Sequence, residues 1–157
     1  MLRNLLTSDA PAATILVRFM VGGIFLSEGL QKFLFPEILG VGRFDKIGIP
    51  APGIMAPFVG IFEIGCGLLF IVGLLTRLAA IPLIIDMIVA LASTKVPILL
   101  GHGYFIFANP STSKTGFWSL LHESRTDISM LLGSVFLLLV GAGEWSVDAT
   151  IRRRLKL

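Results

Sequence analysis

The order of apolar and polar positions divides the chain into four long apolar stretches, roughly 12–35, 56–75, 78–100 and 123–143. A helix crosses the bilayer core with about 20 mostly apolar residues, so each stretch predicts one spanning helix. Only a tight turn at Thr76-Arg77 separates the second from the third. The other two connections are longer. The first, "PEILGVGRFDKIGIPAPGIMAP", is rich in Gly and Pro, as irregular backbone favours. The last, "GHGYFIFANPSTSKTGFWSLLH", is aromatic. Its Tyr104, Phe105, Phe107, Phe117 and Trp118 suit either a belt at the headgroup level or a lid over the mouth of a bundle. The predicted class is all-α, an integral membrane four-helix bundle made of a single domain over 1–157.

Composition agrees with that pattern. Of 157 residues, 55% are hydrophobic and 15% are charged, where soluble domains carry about a quarter charged residues. The apolar run after Pro11 is too long for the core of a cleaved signal, so the first span is expected to be retained, behind a short amphipathic lead at Met1–Asp9. The net charge of +3 is concentrated in "IRRRLKL". In a membrane protein such a tail marks the cytoplasmic side rather than a nucleic-acid patch. Both termini are therefore expected inside, with the chain in the inner (plasma) membrane. Counting the bases near the span ends (Lys32, Lys95, Arg125) makes the two sides equal, so the orientation rests on the arginine-dense tail. A lone cysteine, Cys66, excludes an internal disulfide and a CxxC pair, and it reads as a small packing residue.

Charge within the spans is costly, so the charged residues that persist there are informative. Glu28 and Lys32 are spaced to pair along one helix. Yet Arg18, Gly22, Phe25, Gly29 and Lys32 share one face of the first span, and Glu28 borders it. Gly60, Glu63 and Gly67 share a face of the second span, Asp86 and Ala90 one of the third, and Glu123, Asp127 and Met130 one of the fourth. Depth sorts these residues into two layers. Arg18 and Asp86 fall at matching depth and are expected to form a structural ion pair across the bundle. Glu28, Lys32, Glu63, Glu123 and Asp127 fall nearer the outer end, with His102 placed to fold over them. Lys95 lies about 180° from Asp86 on an ideal helix and is expected to snorkel outward, as is Arg125.

Crowded acids in a low-dielectric site do not all ionise cheaply, which is the profile of a proton-handling or polar-ligand site. Glu63 and Glu28 are the candidate proton-handling groups. Arg18, Glu28, Lys32, Glu63, His102, Glu123 and Asp127 are the candidate ligand-binding set. The competing reading is a set of interhelical hydrogen bonds that only specifies packing. His102, His122 and Glu123 match no defined zinc signature, and no metal is assigned.

These motifs resemble the DoxX family of small four-helix membrane proteins. The likeness runs through "LVRFMVGGIFLSEGLQKF", "GIPAP", "EIGCGLLFIVGLLTRLAA", "GHGYF" and "HESRTDISMLLGSVFLLLVGAGEWSVD". Ala142 and Glu144 depart from the proline and arginine usual in the family's ending. The resemblance implies a membrane subunit near redox chemistry. It would bind a quinone or a small sulfur compound in an outer-leaflet polar site, with no intrinsic cofactor and with electrons supplied by a redox enzyme subunit. The alternative is a non-enzymatic scaffold or chaperone for a partner protein. A third reading, a small-solute or proton carrier, requires a homo-oligomer. The bilayer is an expected partner and nucleic acid is not.

Overall fold

The computed structural model describes residues 10–110 and 112–155. The lead at Met1–Asp9 and the final two residues of the basic tail lie outside the described residues. The described chain is helical, with a single isolated β-bridge between Tyr104 and Phe107. Four long helices form a ring: α1 (Thr14–Leu34), α3 (Pro52–Val72), α4 (Thr76–Ala90) and α6 (Phe117–Val140). α1 packs chiefly on α3, α4 on α6, and α3–α4 and α1–α6 contacts close the ring. Shorter helices are α2 (Val41–Ile47), α5 (Val96–Leu100) and α7 (Val147–Leu155).

Among the described residues, three helical runs are long and apolar enough to cross a membrane: Thr14–Leu34, Pro52–Val72 and Thr76–Leu100. The last joins α4 to α5 through one π-helical segment, Leu91–Lys95. α6 has 24 residues, about 36 Å of helix, and its first half carries Glu123, Arg125 and Asp127. Large apolar side chains such as Leu16, Ile61, Ile85 and Leu139 cover the outside of the ring, as lipid-facing helices require. Inside, Val21, Phe25, Phe70, Leu83 and Leu137 are wholly buried and form the centre of the core.

The α1–α3 contact is made by backbone. A Cβ on Gly22 would stand 2.7 Å from the Gly67 carbonyl, and one on Gly29 would stand 2.8 Å from that of Gly60. Both pairs are seven residues apart on antiparallel helices, so the two backbones touch twice along one seam. Small residues permit this approach where no hydrophobic effect drives helices together.

At the opposite end from the two long loops, α3 stops at Gly73 in the left-handed region (φ 70°), and Leu75 (φ 49°) takes up the same conformation just before α4. A left-handed non-glycine residue costs roughly 1–2 kcal/mol, and Leu75 has no side chain with which to cap α4. The cap comes from α7: Asp148 accepts the Leu75 amide at 2.8 Å and the Thr76 amide at 3.2 Å. Ser146 in turn caps α7 through the Ala149 amide. The "GAGEWSVD" segment thus locks the α3–α4 turn.

Candidate functional site

The seam at Gly29 and Gly60 brings the loop end of α1 close to the middle of α3. Side chains on a helix lean towards its N-terminus, so Lys32 reaches back along α1 into the ring. Its Nζ lies 2.6 Å from Glu63 Oε2, with side-chain exposures of 11% and 4%. Lys32 thus pairs across the seam and not with Glu28 one turn below it. Asp86 of α4 joins the pair: its carboxyl adjoins that of Glu63 and faces Lys32, and its Oδ2 is buried with no hydrogen-bond partner.

These groups line a cavity of about 360 Å³. Glu28 stands at its rim, and Asp127 and Glu123 reach it from α6, with Glu123 otherwise exposed. Arg43, Ser93, Thr94, Lys95 and Thr126 add polar groups, and the rest of the wall is apolar and includes Phe25, Phe44, Met55, Met87 and Met130.

Lys95 corrects the expectation that it snorkels outward. It lies 3.3 Å from Asp127 and lines the cavity. The cause is the π segment, whose extra residue takes back about 100° of rotation, leaving Lys95 about 80° from Asp86. The segment follows from Pro97. Val96 N–H bonds to Leu91 O rather than to Ala92 O, and Pro97 has no N–H to give. The Ala92 carbonyl is taken instead by the Tyr104 hydroxyl at 2.9 Å, while Ser93 and Thr94 hydroxyls donate to Ala90 O. Tyr104 therefore turns inward and packs on Phe107, whereas Phe105 and Trp118 remain exposed.

Arg18 does not meet Asp86 and does not reach the cavity. Counted from the observed helix starts, Arg18 is four residues into α1 and Asp86 ten into α4, so they differ by about 9 Å in depth. Arg18 is 2% exposed. It donates to Phe70 O (2.8 Å), Ile71 O (2.7 Å), Ala142 O (3.0 Å) and Trp145 O (2.6 Å). The first two are carbonyls of the last turn of α3, Phe70 O also accepting the Gly73 amide at 3.1 Å, and the helix dipole there favours a cation. Arg18 is a structural clamp between α1, the end of α3 and the segment before α7.

His102 also lies apart from the cavity: it is exposed, with Nδ1 2.8 Å from Gly103 O. His122 is 2.8 Å from Arg125, and both are exposed. Cys66 is buried in the core cluster.

Comparison with known proteins accords with this architecture. The sequence model of the DoxX family matches residues 13–96, more than half of the chain. The chain belongs to the DoxX family. It is also 47% identical over 151 residues to an uncharacterized membrane protein of Mycobacterium tuberculosis, covering 96% of this chain and 88% of that protein. No solved structure matches it.

The DoxX match runs from the start of α1 into α5 and so includes Lys32, Glu63, Asp86 and Lys95; Asp127 and Glu123 come from α6, beyond it. In this DoxX protein the cavity is therefore walled by helices inside the matched segment and by α6, which follows it. The combination offers a donor (Lys32), two adjoining carboxyls able to exchange a proton (Glu63, Asp86) and an apolar lining for a flat or hydrophobic ligand.

The sequence reading did not assign Asp86 to the cavity, because the face was read correctly but the depth was not. The π segment was also missed. Its available signal was "STKVP", hydroxyl residues just before a proline in an apolar run.

Proposed function

We propose that this DoxX-family protein is the membrane subunit of an oxidoreductase complex and binds a quinone headgroup or a small sulfur compound in the cavity between α1, α3, α4 and α6. One observation carries the reading: Lys32, Glu63 and Asp86 converge at a cavity wall deep among apolar side chains. Such a group is costly in a bilayer and marks a site by default. The cavity volume, about 360 Å³, lies within the range of small-molecule sites. Lys32 hydrogen-bonds a carbonyl or anionic oxygen of the ligand, and Glu63 with Asp86 gives or accepts the accompanying proton. Electrons come from a partner protein.

The test is quinol turnover in membranes from a strain lacking the chain, complemented with wild type or Glu63→Gln. Wild type restores turnover and Glu63→Gln leaves it at the deletion level. Equal turnover in all three strains contradicts the proposal.

A further inference from the structure

A second cavity, of about 490 Å³, adjoins the first at the loop end, between α2, the π segment, α5 and the last loop. It shares Arg43, Ser93, Thr94, Lys95 and Glu123 with the first, but it lacks the inner carboxyls and is basic on balance. Arg43 and Lys46 enter from α2 and Lys95 from the π segment, against one acid, Glu123. Arg43 and Lys46 are three residues apart, on one face of a short helix. Lys95 is held by Asp127, but neither Arg43 nor Lys46 has an ion-pair partner among the described residues. Hydroxyls of Ser93 and Thr94 and the amide of Asn109 complete the polar lining. Ala108 N–H bonds to Ile47 O at 3.1 Å, tying the last loop to α2 beside the opening. Ile38 lines the cavity and is 70% exposed, giving the mouth an apolar edge.

We infer that this vestibule binds a phosphate-class anion, held by the Arg43 guanidinium and the Lys46 ammonium, with the side-chain amide of Asn109 as a further donor. A planar guanidinium grips two oxygens of such a group while the ammonium supplies a point charge. The vestibule lies at the end of the membrane helices, so a phospholipid headgroup and free phosphate share the required chemistry. The inference goes beyond the proposed quinone or sulfur-compound site and stands without it, since it uses neither Lys32 nor Glu63.

The test is native mass spectrometry of the full chain released from nanodiscs made with phosphatidylglycerol or phosphatidylcholine, with and without added inorganic phosphate. Wild type, the Arg43→Gln/Lys46→Gln double variant and a Lys114→Gln control are compared. Lys114 is exposed and does not line the vestibule. The double variant is expected to lose bound anion at least fivefold, with Lys114→Gln like wild type and melting temperatures unchanged. Retained phosphatidylglycerol that added phosphate does not displace identifies a headgroup. Retained phosphate, or its displacement of lipid, identifies a free anion. Retention that is equal in wild type and the double variant, or no retained phosphate-class species at all, overturns the inference.

Discussion

Arg18 and Lys32 occupy one face of α1, about 21 Å apart along its axis, yet they do different work. Arg18 spends its donors on four carbonyls, whereas Lys32 faces carboxyls at a cavity. Arg18→Lys replaces a fork of fixed donors by one ammonium and is expected to destabilise the fold by about 2–3 kcal/mol, read as a lowered melting temperature in detergent. Lys32→Ala leaves the Glu63 carboxyl buried without its cation, at a cost of about 3–5 kcal/mol. In a double-mutant cycle Glu63→Gln should recover much of that loss, because the two residues share one interaction. Additive losses would show that they are not coupled. Asp148 offers a pH test outside the spans. Burial pushes its carboxyl above the usual range, against the pull of the Leu75 and Thr76 amides and of Arg18. The folded state then holds that proton more tightly than the unfolded state does, so this group's contribution to stability falls as pH rises from the ordinary carboxyl value through the raised one. Asp148→Asn should flatten that part of the stability–pH curve.

Among the elements, the long helices were legible because a spanning helix must satisfy its backbone internally and face lipid with apolar residues. The faces carrying Glu63 and Lys32 were legible for the same reason: a face needs only the 3.6-residue period. Depth was not, since it depends on where each helix starts. α4 begins at Thr76, set by the Leu75 turn and by the cap from Asp148 on a distant helix. The partner of Arg18 was illegible because backbone carbonyls carry no sequence signal. The position of Lys95 depends on the π segment, and so on Pro97. Pro97→Ala restores the missing N–H and should let this segment wind as α-helix, turning Lys95 away from Asp127. The Lys95–Asp127 coupling energy, roughly 0.5–1 kcal/mol for a partly exposed pair, should then vanish in a double-mutant cycle. An unchanged coupling would separate the π segment from Pro97.

Across the whole molecule, polarity is lopsided. The cavity and the vestibule lie towards the loop end. Below them the ring is filled by Val21, Phe25, Phe70, Leu83 and Leu137, and then closed by Arg18 and its carbonyls. A ligand of the proposed site would thus enter from the loop side or from lipid. A crossing by α6 in addition to the three apolar runs would place the last loop and the C-terminal helix on opposite faces of the membrane. Cysteines introduced at Lys114 and Arg153, in a Cys66→Ala background, should label from opposite faces of sealed vesicles. Labelling from the same face would mean that α6 does not cross. The central claim is that the cavity at Lys32, Glu63 and Asp86 holds a ligand. Its most direct measurement is native mass spectrometry of wild type and Glu63→Gln protein released from nanodiscs loaded with quinone or with a small sulfur compound. The account predicts one ligand retained per wild-type chain and at least tenfold less in Glu63→Gln. Equal retention in the two proteins, or none in either, would contradict it.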